Sequence, residues 1–175
     1  RQRQMCIRDS VAPTFGDLKR VAFGGVSGIM SLIPRECLVG GSGQGYNSSS
    51  QEIRLKNGSK INGFSAQEPD RLRGPQFHRA WCDELAAWRY PEAFDQLLFG
   101  LRLGTNPQCV ITTTPKPTNL IRNLLERDDV HITRGSTFDN AANLAPSALA
   151  ALEERYAGTT LGRQELYAEL IEDIE

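Results

Sequence analysis

Two adjacent carboxylates at the end of an apolar run, Asp83 and Glu84 after Ala80-Trp81-Cys82, are the residues of this chain best arranged to do chemistry. A buried strand that ends in acids at the rim of a parallel sheet can offer one carboxylate to Mg²⁺. Its neighbour can then orient a water for attack on a phosphate. The same pair can instead cap the first turn of a following helix, where the dipole favours acids. Two other stretches bear on that choice. Thr112-Thr113-Thr114 close the run Cys109-Val110-Ile111 before Pro115. Hydroxyls there can hydrogen-bond a γ-phosphate or the attacking water, although threonine is also simply favoured in strands. Upstream, Leu72-Arg73-Gly74-Pro75 can project a guanidinium toward a phosphate; the plainer reading is an arginine in a surface turn.

Composition narrows the classes. The chain has 175 residues, about one ordinary domain, with 20 basic and 21 acidic side chains. That balance advertises no nucleic-acid partner, while leaving room for a local basic patch. Cys6, Cys37, Cys82 and Cys109 are scattered without a CxxC pair, which fits a reduced, cytoplasmic setting better than a disulfide scaffold or a zinc site. His78 and His131 offer no metal-ligand spacing. No apolar run is long enough to cross a membrane. The stretch 40–50 is rich in glycine and serine but holds no lysine and no Gly-Lys-Ser/Thr ending, so it reads as a flexible surface connection rather than a phosphate loop.

Several elements must hold these residues in place. Val11 to Thr14 reads as a strand end. Thr14 and Asp17 have capping-box spacing ahead of a helix through Leu18 and Val21. Ile53 to Lys56, the turn Asn57-Gly58, and Ser59 to Phe64 form a hairpin. Phe77 to Cys82 is the central strand. After Pro91, the spacing of Phe94, Leu97, Leu98 and Leu101 predicts a helix with a core-facing leucine side. Cys109 to Pro115 is a second buried strand, Thr118 caps a helix bearing Ile121, Leu124 and Leu125, and Val130 to Thr133 is a short third strand. Asn140 to Asn143 is a loop. Helices over Pro146–Ala157 and about Leu161–Ile171 follow. The expected fold is α/β: a mostly parallel sheet flanked by helices, with a β-hairpin and a C-terminal helical lid.

Taken in order, these stretches resemble the ATPase domain of the terminase large subunit, the DNA-packaging motor of tailed bacteriophages and gene transfer agents. The resemblance is carried by Ala12-Pro13-Thr14 with Asp17, Leu72 to Phe77, Ala80 to Glu84, Thr112 to Pro115, Asp139-Asn140, Tyr156 to Thr159 and Gly162 to Glu165. It implies a partial P-loop NTPase fold of the ASCE type. It also implies a Walker B role for Asp83, which would hold Mg²⁺, and a water-polarising role for Glu84. Thr112, Thr113 and Thr114 would couple γ-phosphate loss to movement, and Arg73 would be an arginine finger directed at a neighbouring subunit's nucleotide. ATP and Mg²⁺ are the implied cofactors. Double-stranded DNA, a portal protein, a small terminase subunit and a homo-oligomeric ring on the procapsid are the implied partners, in the host cytoplasm.

Residues 1–10 are expected to be a non-native or disordered leader, 11–171 a partial ATPase domain, and 172–175 the start of a linker to an absent nuclease domain. The Walker A loop is expected just upstream of Val11. A helicase-type motor, or a non-catalytic structural module in which the two acids only cap, remain the alternatives.

Overall fold

The computed structural model describes residues 6–40 and 45–171, so the expectations for 1–5, for 41–44 within the glycine-serine stretch, and for 172–175 lie outside the described residues. The chain divides into two compact units between Thr113 and Thr114. The first is built on a six-stranded mixed sheet: β1 (Ile7–Ala12), β2 (Tyr46–Asn47), β3 (Glu52–Arg54), β4 (Lys60–Ser65), β5 (Arg79–Asp83) and β6 (Gln108–Thr112), in the spatial order β2-β3-β4-β1-β5-β6. β1 runs parallel to both β4 and β5, and β5 runs parallel to β6. The hairpin forms as its sequence predicts, with Arg54 opposite Lys60 and Ile53 opposite Ile61. Gly58 takes the positive φ of 85° that its turn demands. Because β4 also pairs with β1, the hairpin is part of the main sheet rather than an addition to it.

Thr14 begins α1 (Phe15–Asp17) as its spacing predicts: its Oγ accepts from the Asp17 amide at 3.1 Å and donates to Asp17 Oδ2 at 2.7 Å. The chain then winds into a π-helical segment, Leu18–Phe23, whose Leu18, Ala22 and Phe23 are buried with Ala12, Ile53 and Ile61 in one apolar cluster. The short α2 (Ile29–Leu32) follows. Beyond β5, α3 (Glu92–Gly100) buries Ala93, Phe94 and Leu97. Gly100 is required by close approach, since a Cβ there would lie 2.6 Å from the Pro75 carbonyl oxygen.

The second unit holds α4 (Asn119–Leu125), capped by Thr118, then a 3₁₀ segment Phe138–Asn143, α5 (Pro146–Tyr156) and α6 (Thr160–Glu165), capped by Thr159. Thr137 donates its amide to the Leu166 carbonyl at 2.8 Å, and the rings of Phe138 and Tyr167 sit 5.2 Å apart, tying the 3₁₀ segment to the end of α6.

Several expectations are corrected. Residues 7–10 do not lie outside the fold: Ile7–Ser10 form the first four positions of β1, in register with strands on both sides. Backbone pairing holds them there despite the polar side chains of Arg8, Asp9 and Ser10. Val130 to Thr133 is not a strand; among the described residues no neighbouring strand offers it a ladder, and Ile132 stays exposed. β6 is an edge strand rather than a buried one, with Val110 exposed on its outer face. Leu98 points outward instead of into the core. Asn140–Asn143 coil into the 3₁₀ segment, and α6 ends at Glu165, short of Ile171.

Candidate functional site

Strand periodicity places the site. Side chains two apart on β5 share a face, so Trp81 and Asp83 project to one side while Cys82 points to the other. The Trp81 ring packs against the apolar cluster around Leu18 and Phe23, which fixes that face. β6 pairs with β5 so that Thr112 stands opposite Asp83 at the carboxyl end of both strands. The three side chains form a chain of hydrogen bonds. The indole Nε1–H of Trp81 donates to Thr112 Oγ1 at 2.9 Å, and the Thr112 hydroxyl donates to Asp83 Oδ1 at 2.8 Å. One hydroxyl thus receives from an indole and orients a carboxylate, with its single proton committed to Asp83.

The turn after β5 is tied down as well. Trp88 Nε1–H donates to the Asp83 carbonyl at 2.9 Å, and the Ala86 amide donates to Thr113 Oγ1 at 3.0 Å. Glu84 sits between these anchors in the left-handed region, φ 49° and ψ 48°. A left-handed backbone of this kind costs a non-glycine residue on the order of 1 kcal/mol or more, and such strain concentrates at functional sites. Glu84 precedes the 3₁₀ turn Leu85–Ala87 without capping it through its side chain. The capping alternative for the acid pair is therefore not what the structure builds: Asp83 engages a neighbouring strand and Glu84 does not cap.

Of the six residues singled out by the sequence, the fold brings Asp83 and Thr112 into direct contact and anchors Thr113 to the loop that carries Glu84. Thr114 begins the second unit. Arg73 lies elsewhere in the first unit. It follows the 3₁₀ turn Pro69–Leu72, with Nη1 3.8 Å from Asp70 Oδ1. It lines a cleft of about 270 Å³ with Gln96, Phe99 and Arg102. The last residues of α3 meet Phe77, whose amide donates to the Gly100 carbonyl at 3.0 Å. That is the starting end of β5, roughly 20 Å of strand from Asp83. Arg73 thus lies against α3 rather than in the hydrogen-bonded group around Asp83.

The donor set also limits what metal could bind. Among the described residues no group of three or more His, Cys, Asp or Glu side chains converges. A lone strand-end carboxylate suits Mg²⁺, which keeps its waters and binds through one or two carboxylates plus substrate phosphates. It does not suit a metal held by protein ligands alone.

Two features escaped the sequence reading. Trp81 supplies the donor that fixes Thr112, and alternation on β5 was the signal for it. Behind the site, Cys82 and Cys109 place their sulfurs 3.6 Å apart across β5 and β6. Burial pushes the Cys82 thiol well up, while its hydrogen bond to Cys109 draws the Cys109 thiol down.

A family model described as terminase large subunit, T4likevirus-type, N-terminal, matches residues 39–174. No curated protein matches the chain by sequence. Among solved structures, the Thermus phage P74-26 large terminase ATPase domain aligns with a TM-score of 0.63 at 17% identity, over 95% of this chain and 77% of that one. The large terminase of a thermophilic bacteriophage gives 0.69 at 13% identity, over 96% and 41%. The same kind of phage protein in complex with ATP-γ-S gives 0.64 at 16%, over 96% and 40%. Identities this low show the fold alone. The chain spans about 41% of the length of that phage terminase.

Proposed function

Because this chain belongs to the terminase large-subunit family, T4likevirus-type N-terminal, we propose that it is part of an ATP-hydrolysing motor that drives double-stranded DNA into a viral procapsid. The observation that carries this reading is the Thr112 hydroxyl held 2.8 Å from Asp83 Oδ1 at the carboxyl edge of two parallel strands. Two motifs far apart in sequence, each ambiguous alone, meet where an open α/β sheet places its ligands.

In this reading Asp83 is the Walker B carboxylate. Mg²⁺, when bound with nucleotide, supplies charge neutralisation on the phosphates. Trp81 and Thr112 hold Asp83 in one orientation so that the acid is ready when nucleotide arrives. Glu84, lifted out of the strand by its left-handed backbone, orients and polarises the attacking water. Thr112 sits on the water and phosphate side, and Thr113 connects that side to the loop carrying Glu84. Thr114 leads into the helical second unit, as a coupling segment would. Arg73, which lines a separate cleft beside α3, is the finger offered to a nucleotide in the ring, as in related motors. A portal protein and a small terminase subunit complete the proposed machine.

Asp83→Asn in the longer protein tests the assignment. ATP hydrolysis should fall at least about a hundredfold while DNA cleavage by the same protein persists; unchanged hydrolysis would remove the motor reading. The 175 residues themselves hold no Gly-Lys-Ser/Thr phosphate grip. This chain alone should therefore show no Mg²⁺-dependent turnover in a steady-state assay, and turnover would contradict the assignment of phosphate binding to a separate loop.

A further inference from the structure

A second concavity of the first unit lies away from Asp83. It is a cleft of about 860 Å³ between the first helical segment and the turn leading into β3. One wall presents Lys19, Arg20 and Arg71, the other the serines Ser49 and Ser50. No carboxylate lines it. Lys19 and Arg20 are exposed and engage no ion pair among the described residues. Arg71 is both stacked and ion-paired. Its guanidinium lies 5.7 Å from the centroid of the Phe15 ring, and its Nε is 2.8 Å from Glu68 Oε2 without hydrogen-bond alignment. In a chain whose formal net charge is −1, two unpaired cations, Lys19 and Arg20, beside the paired Arg71 and facing hydroxyl donors across an open trough are a local reversal.

We propose that this cleft is a phosphodiester-backbone site that holds duplex DNA on the motor. Lysine, arginine and serine are the side chains that position a nucleic-acid backbone without reading its sequence. Phe15 is covered by the Arg71 guanidinium, and the groups facing the trough from its walls are cations and hydroxyls. Sequence-independent holding is what a machine that moves along DNA requires. The identity of the duplex rests on the packaging reading; the preference for a phosphate backbone rests on the cleft.

The test is fluorescence anisotropy of a short labelled DNA duplex with the 175-residue chain across a salt series and without nucleotide. Lys19→Ala combined with Arg20→Ala, shown by circular dichroism to keep the fold, should weaken binding at least about tenfold and flatten the log–log salt slope by about 2. Lys116→Ala with Arg122→Ala, in the second unit, should change affinity less than about twofold on the same scale. Equal binding by the Lys19 and Arg20 variant, an equal loss in the control, or no duplex binding by the chain would each overturn the proposal. Because the assay contains no ATP, its failure leaves the Asp83 dependence of hydrolysis intact. Loss of that dependence would sink the motor reading without touching the cleft.

Discussion

Asp9 and Asp83 lie on neighbouring strands of one sheet and have opposite surroundings. Asp9 is in the middle of β1, almost fully buried; Asn62 donates to its Oδ1 at 2.8 Å, and its Oδ2 has no hydrogen-bond partner among the described residues. Burial, only partly opposed by the Asn62 hydrogen bond, raises its carboxyl to about 7. Asp83 is at the end of β5, only half-buried, with a hydroxyl aimed at one oxygen and its strand carbonyl held by Trp88. A carboxylate inside the ladder costs stability whenever it ionises. At the strand end it can keep water, metal and phosphate within reach. What distinguishes a candidate catalyst from a burden here is three or four residues of position along a strand.

The pH dependence of stability probes the Asp9 side and carries the largest expected change. Its folded value lies above its unfolded one, so the proton is retained on folding. Its contribution is complete below about pH 4, declines as pH rises, and is lost above about 7. The change amounts to up to about 4 kcal/mol across that window. Urea midpoints should fall over that range for the parent chain and stay flat for Asp9→Asn. Parallel profiles would show that Asp9 is already solvated and erase the contrast.

Next in size is Thr112→Val, which removes the hydroxyl between Trp81 and Asp83. It should cost about 1 kcal/mol in chemical denaturation, because the site is open enough for water to replace part of the network. In the longer protein it should lower hydrolysis more than that loss explains, since the orientation of Asp83 goes with it. An effect on stability alone would reduce the network to architecture. The smallest expected change is Glu84→Gly. Relief of the left-handed backbone should leave stability unchanged or raise it by up to about 1 kcal/mol, while hydrolysis in the longer protein drops sharply. Clear destabilisation would mean that Glu84 serves the fold.

Short-range chemistry was the legible part of this sequence. Thr14 and Asp17, the Asn57-Gly58 turn and the Thr118 cap are set by neighbours within a few residues. The acid pair and the threonine run were legible as candidates because both end apolar runs. What failed depended on distant partners. Arg8-Asp9-Ser10 break the apolar pattern, yet two flanking strands make them central. Val130 to Thr133 has strand composition but no ladder to join among the described residues. The cleft that Arg73 lines with Gln96 and Phe99 depended on where α3 packs, which no local spacing records. Likewise the meeting of Thr112 with Asp83 needed the register of β6 on β5.

The central claim is that the end of β5, not its neighbour's interior, carries the chemistry. Steady-state ATP hydrolysis by the longer protein bearing Asp83→Asn, measured beside the same protein bearing Asp9→Asn, tests it most directly. The account predicts that the Asp83 variant loses turnover while the Asp9 variant keeps the parent rate. Hydrolysis that survives in the Asp83 variant would contradict it.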